Sequence, residues 1–186
     1  FGDIDATLLF DNLFNSPEYI IDLKLNHLNL ATVAQNSLYE SDINLQINAE
    51  GVDFDPNKLI TTIHLKSNKY VFLGEHILDM NAVVKINEND FIIKGLNFKT
   101  SYIDANISGN GNFKQSNNIN FSLKSNNLTP ILIALGLEPF HFDGQIGGSF
   151  TGPSDNLKLD ANMQIAEFEM DSLMLTNVQS NIQGIF

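Results

Sequence analysis

Apolar and polar residues alternate with a period of two along almost the whole chain, the pattern of strands that turn one face away from water and one toward it. From Ile43 to Gly51 the apolar set is Ile43, Leu45, Ile47 and Ala49, facing Asn44, Gln46, Asn48 and Glu50. In the next ribbon Thr61, Ile63 and Leu65 face Thr62, His64 and Lys66. The alternation continues through Met80, Ala82, Val84 and Ile86, through Leu96 and Phe98, and through Ile103, Ala105, Ile107 and Phe113. Ile119, Phe121 and Leu123 follow, then Phe142, Ile146 and Phe150, then Leu157, Leu159, Ala161, Met163 and Ile165. The pattern predicts an all-β chain of about eleven strands, each roughly 8 to 12 residues long. Short turns such as Asn87-Glu88-Asn89-Asp90 and Gly152-Pro153-Ser154-Asp155-Asn156 join them.

Two stretches break the period and predict one or two short helices. Thr129-Pro130 opens the clearer one, with Thr129 as N-cap and Pro130 at the first helical position, and Ile131 to Leu135 runs on to Gly136 as a stop. Its residues are apolar on nearly every face, which places it against the apolar side of the sheet. Leu30 to Leu38 is the weaker candidate. The helices mark an internal repeat, about 20–86 and about 119–185, within a single segment covering 1–186. Repetition at that period suggests an elongated array in which each unit touches its neighbours. A closed sandwich of the same strand count satisfies the periodicity equally, because both need one apolar face per strand.

Charge narrows the partners. Ten Lys and no Arg stand against 22 Asp and Glu, a net charge of −12. Nucleic acid is disfavoured as a partner, since phosphate binding needs clustered cations and bidentate Arg contacts. An anionic membrane face is disfavoured for the same reason. With 43 % hydrophobic and 17 % charged residues, the chain is too apolar for a disordered acidic tail, and its polar side is built from 25 Asn. The absence of Cys removes thiolate sites, disulfides and thiol catalysis. The longest apolar run, Ile131 to Leu135, is too short to span a bilayer. A start at Phe1 and a finish inside an expected strand suggest a piece of a longer protein.

The sequence offers little that resembles a catalytic or metal constellation. His27, His64, His76 and His141 are scattered, and none forms a His-x-x-x-His pair. Asp53-Phe54-Asp55-Pro56-Asn57 opens like a calcium loop, but Lys58 stands where that loop needs Gly and His64 where it needs a bidentate Glu. It reads instead as an Asx/Pro turn. Gly144, Gly147, Gly148 and Gly152 lack the following helix and Lys-Ser/Thr of a phosphate cradle, and suit bulges or close backbone approach. Asp160 and Glu169 fall on polar parities. No catalytic residue, metal or cofactor is expected.

Four stretches together resemble a known family. NAEGVDFDPNKLITTIHLKS, the strand end ISGNGNF, the short helix LTPILIALGL and FDGQIGGSFTGPSDNLKLDANMQI are similar to the repeating pattern of the TamB and AsmA-like proteins of diderm bacteria. The most specific part is Gly144 to Pro153 followed by Leu157-x-Leu159-x-Ala161. The resemblance implies an elongated open antiparallel β-groove, or β-taco, apolar inside and polar outside. It implies a place in the periplasm, within a protein anchored in the inner membrane by a part outside this segment, and transport of phospholipid toward the outer membrane. Neighbouring repeats of the same chain, phospholipid acyl chains and an outer-membrane β-barrel protein are the implied partners.

On that reading the groove lining is Leu45, Ile47, Ile63, Leu65, Ala82 and Val84, with Leu96, Phe98, Ile103, Ala105, Ile107, Phe121 and Leu123. Phe142, Ile146, Phe150, Leu157, Leu159, Met163 and Ile165 complete it. Exposing an acyl chain of roughly 16 carbons to water costs on the order of 12 kcal/mol, at about 0.8 kcal/mol per methylene. A continuous apolar stripe removes that cost. Two rivals stand beside the conduit: a scaffold that assists outer-membrane protein assembly by strand addition, and a closed sandwich whose apolar face is merely core.

Overall fold

Long alternating segments joined by short turns give each strand its chain neighbour as the nearest partner, and the chain folds accordingly. The computed structural model describes residues 2–35, 37, 40–72, 75–134 and 136–186. The strands are β1 (Asp3–Asp11), β2 (Glu18–Leu28), β3 (Ser41–Val52), β4 (Ile60–Phe72), β5 (Glu75–Asn87) and β6 (Asp90–Thr100). They continue as β7 (Ile103–Asn112), β8 (Asn117–Ser125), β9 (His141–Gly152), β10 (Lys158–Met170) and β11 (Leu173–Ile185). Two single-turn helices interrupt them, α1 (Leu30–Ala34) after β2 and α2 (Thr129–Ala134) after β8. All eleven strands form one antiparallel sheet in strict chain order, from β1 at one edge to β11 at the other.

Register keeps the two parities apart from edge to edge. Ala6, Leu23, Ile47, Leu65, Ala82, Leu96, Ile107, Phe121, Gly148, Ala161 and Ile182 oppose one another in turn across all eleven strands. One residue along, on the other face, the row is Asp5, Lys24, Gln46, Lys66, Asn81, Asn97, Asn106, Ser122, Gly147, Asn162 and Asn181. The many Asn are put to use there. Asn97 Nδ2 donates to Asn81 Oδ1 at 2.8 Å, and Asn106 Nδ2 donates to Asn97 Oδ1. In the adjoining row Lys99 Nζ donates to Asp104 Oδ2 at 3.1 Å, and Gln145 Nε2 to Gln164 Oε1 at 2.7 Å. Neutral amides bond across strands without the repulsion that like charges opposite one another would bring.

The sheet does not close. Among the described residues every substantial strand-to-strand contact is between sheet neighbours, so no second layer of them covers the apolar face and the closed sandwich is not what forms. The accessible surface is 11730 Å², against about 8,900 Å² for a compact protein of this mass. Yet the two faces are unequally shielded. In β8 the apolar Ile119, Phe121 and Leu123 are half-buried while Asn118, Asn120, Ser122 and Lys124 are exposed, and in β10 Ala161 and Ile165 are buried between exposed Asp160, Asn162, Gln164 and Ala166. In a one-layer sheet such a difference follows from curvature toward the apolar side. Register shifts between Leu25/Leu28, Ile93/Leu96 and Ile165/Glu167 supply local bends, since each adds a residue to one strand of a pair.

Adjacent glycines in β9 show how tightly the strands fit on the apolar side. A Cβ built on Gly148 falls 2.3 Å from the Asp160 carbonyl oxygen and 2.7 Å from Ala161, whereas one built on Gly147 meets nothing nearer than 3.5 Å. Gly148→Ala should therefore destabilise the chain by about 1–3 kcal/mol, the cost of overpacking. Gly147→Ala should be neutral or stabilising by up to about 1 kcal/mol through the unfolded chain. Denaturant melts of the two variants check the pair, and equal effects would contradict the close approach. Small-angle scattering should give a radius of gyration clearly above the roughly 16 Å of a compact chain of this length.

Candidate functional site: an open apolar trough

The apolar rows stack into a band across the strands. Beside the row through Ile107 run Leu8, Ile21, Ala49, Ile63, Val84, Ile93, Gly109, Ile119, Phe150, Leu159 and Gly184. On its other side run Ile4, Leu25, Leu45, Ser67, Met80, Phe98, Ala105, Leu123, Ile146, Met163 and Ser180. No charged side chain occurs in these three rows. Ten inter-strand steps give the band a length of about 48 Å. Aromatic rings pack along it, with Phe121 and Phe150 5.3 Å apart and Phe140 and Phe168 5.6 Å apart between centroids.

All the lining residues expected from the sequence fall on this one face. Ile103, Phe142 and Ile165 are buried, the others are half-buried, and none is exposed. Leu157 lies one residue before β10 and extends its ladder by exchanging backbone hydrogen bonds with Phe186, at 3.1 and 2.9 Å. Sequence periodicity missed four contributors. Leu128, Phe140, Phe168 and Leu175 join Leu123, Phe142, Ile146, Met163 and Ile165 around a wholly apolar recess of about 420 Å³. Phe168 has the parity of exposed Gln164, but the extra residue at the Ile165/Glu167 shift turns it onto the apolar face, opposite Phe142. The recesses on the polar face are bordered by Lys, Asp and Gln instead.

Helix α2 follows Leu128, which lines the recess, and its cap differs from the expected one. Asn127 Oδ1 accepts the Thr129 N–H at 3.0 Å and the Leu128 carbonyl accepts the Leu132 N–H at 3.1 Å, so the capping falls to Asn127 and Leu128. The Thr129 hydroxyl instead donates to the Phe140 carbonyl at 3.0 Å, tying the helix to the start of β9. A side-chain amide two residues earlier offers the same acceptor as a Thr hydroxyl, which frees Thr129 for that tie. Gly136, at φ +70°, ends the helix, with its N–H on Ile133 O and the Leu137 N–H on Leu132 O. Leu128 lines the recess and Leu132 is half-buried, while Ile133 is 60 % exposed. Leu135 and the side chain of Ile131 lie outside the described residues, as does Leu38 of the weaker helix.

The connections sort onto two rims. Those after β2, β4, β6, β8 and β10, including both helices, belong to one rim, and those after β1, β3, β5, β7 and β9 to the other. The second rim is stitched turn to turn. Asp53 N donates to Pro17 O at 2.8 Å, Glu88 N to Leu59 O at 2.7 Å and Phe113 N to Asn89 O at 2.8 Å. Ser154 Oγ donates to Phe113 O at 3.3 Å and Lys114 Nζ to Asn57 Oδ1 at 3.1 Å.

No group of His and carboxylates among the described residues is arranged to hold a metal ion. His64 is exposed, and His27 pairs with Asp42 at 2.8 Å on the surface. Gly144, Gly147, Gly148 and Gly152 lie inside β9, with no helix after them. The Asp53–Asn57 segment is a double Asx turn: Asp53 Oδ1 accepts the N–H groups of Phe54 and Asp55 at 2.8 and 2.9 Å, and Asp55 Oδ1 accepts that of Asn57 at 3.0 Å. No helix of the described residues is long and apolar enough to cross a membrane. No family model, curated protein or solved structure matches the chain.

Backbone and side-chain hydrogen bonds from Asn57 hold the Asp55 carboxyl below the usual aspartate range. The folded value being the lower one, the turn is favoured at all pH above the ordinary value of about 3.9 and loses that support as pH falls through the folded value. An NMR titration should place the Asp55 midpoint below about 3.9, and Asn57→Ala, which removes the side-chain bond and keeps the backbone one, should raise it only part of the way. A midpoint at the ordinary value in the folded chain would contradict the bonding.

Proposed function

We propose that this chain is a segment of a hydrophobic conduit, a stretch of β-groove in a periplasm-spanning, inner-membrane-anchored protein of the TamB/AsmA-like kind. Its trough shields phospholipid acyl chains on their way between the inner and outer membranes. The reading assigns it no catalytic step and no cofactor. The observation that carries it is the band of apolar rows, uninterrupted by charge over eleven strands and, among the described residues, covered by no second layer. A face of that extent left to water marks a surface that meets another apolar body. A continuous band with few polar atoms suits acyl chains in particular, because it offers no fixed hydrogen bonds to trap a sliding tail.

A second reading rests on β11. That edge strand runs 13 residues, Leu173–Ile185, with no charge and no proline, whereas sheet edges are ordinarily blunted by those very residues. It suits the capture of a strand from an outer-membrane β-barrel client by strand addition.

Native mass spectrometry of the purified chain should reveal bound phospholipid or detergent under the conduit reading. Ile107 is half-buried in the middle of the band, and its neighbour Asn106 is exposed on the polar face. Ile107→Asp should lower bound lipid roughly tenfold or more, because an unpaired charge repels acyl chains. An open trough still hydrates that carboxylate, so the loss of stability should stay near 1–2 kcal/mol rather than the 3–5 kcal/mol of a buried unpaired charge. Asn106→Asp should change neither quantity. A photo-crosslinker should label lipid from position 107 and not from 106; equal labelling, or none at either, overturns the conduit, and a client strand captured at β11 without lipid favours the second reading.

A further inference from the structure

An odd number of antiparallel strands in chain order leaves the two sheet edges, β1 and β11, running in the same direction. That parity restricts how a second copy of the chain can continue the sheet with its apolar face on the same side. Brought up by translation, the second copy sets its β1 parallel to β11, a head-to-tail contact that repeats without end. Turned about a two-fold axis normal to the sheet, it sets its own β11 there, antiparallel, and the contact closes after two copies. The second arrangement is the pairing every strand here already makes, and the stronger one per residue. Antiparallel pairing of β11 with β1 would instead put the apolar faces of the two copies on opposite sides. The other two-fold contact, β1 against β1, gathers Asp3, Asp5 and Asp11 of both copies into one seam, where like charges repel. β11 has no charge and no proline to prevent its own pairing.

Peptide phase and side-chain parity agree on the register. Phe186 and Leu157 exchange backbone hydrogen bonds. By alternation the peptide groups of Val178, Ser180, Ile182 and Gly184 point inward to β10, and those of Gln179, Asn181, Gln183 and Ile185 point out of the edge. At Asn177, φ +54°, the alternation breaks and Leu175 takes the apolar face opposite Phe168, so the regular edge begins at Val178. With Asn181 on the two-fold axis, Asn181 meets Asn181 of the second copy and Gln179 meets its Gln183. Amide then faces amide, as in the ladder of Asn81, Asn97 and Asn106. On the other face Ser180 meets Ile182 and Val178 meets Gly184, so no charge enters the apolar rows at the seam.

We infer that β11 is a self-association edge: two copies of the chain pair these strands antiparallel about Asn181, joining two troughs into one apolar band of about 100 Å. Sedimentation of the full chain should show a monomer–dimer equilibrium with no larger species. Asn181→Lys and Asn181→Asp each set like charges face to face and should raise the dissociation constant roughly tenfold or more. An equimolar mixture of those two variants should recover the dimer. Thr7→Lys, on the exposed β1 edge, should leave it unchanged. The chain has no Cys, so Asn181→Cys should oxidise to a disulfide between copies, the Cα spacing of about 5.5 Å in such a pair lying within disulfide range. Circular dichroism verifies the fold of each variant. A monomer at every concentration, growth beyond the dimer, a dimer indifferent to the charge at position 181, or a mixture that stays monomeric overturns the inference and leaves the conduit standing. A monomer that captures an added β-strand peptide at β11 overturns it in favour of client capture.

Discussion

Everything in this molecule depends on strand register. Because side chains alternate sides with a period of two, a slip of one residue in any pair would carry that strand's apolar set to the polar face. The ladder from Ala6 to Ile182 holds over ten successive pairings, and the shifts that occur are single-residue insertions that restore the same face beyond them. Among the described residues the sheet gains no packing from a second layer, so the cross-strand contacts of each face take on that role. On one side these are apolar and aromatic neighbours; on the other they are amide ladders such as Asn81, Asn97 and Asn106.

That division also relates the composition to the proposed task. A closed sandwich hides its apolar parity and leaves one polar surface. An open trough has two surfaces with opposite requirements, one that must stay free of charge over about 48 Å and one that must keep the assembly in water. Asn, Gln, Ser and paired Lys and Asp meet the second requirement. Seven of the 22 carboxylates lie in the connections and fifteen in strands but outside the three apolar rows, so the chain is strongly acidic without a charge in the rows that would contact acyl chains.

Much of this was legible in the sequence because period two is a strong signal in long strands. The parities of Leu45 and Ile47, of Ile103 to Ile107 and of Leu159 to Ile165 match their common face directly. What escaped the pattern has specific causes. The shift near Ala166 reverses parity, so Phe168 could not be assigned to the apolar face. Leu128 and Phe140 reach the recess from connections, where no period applies. Thr129 looked like the cap because Asn127 offers the same chemistry two residues earlier. Periodicity was also blind to closure, which depends on the edges β1 and β11 failing to meet rather than on any local pattern.

The strict chain order of the strands has a consequence for how the molecule comes to exist. Each strand's partners are the ones synthesised just before and just after it, so the mean sequence separation of contacts is small for an all-β protein. Low contact order favours fast folding, because loop closure costs little entropy before each pairing is rewarded. Hairpins form in microseconds, far faster than residues emerge from a ribosome. Such a sheet can grow like a zipper, each new strand reading its register from the finished edge, with no distant partner to wait for.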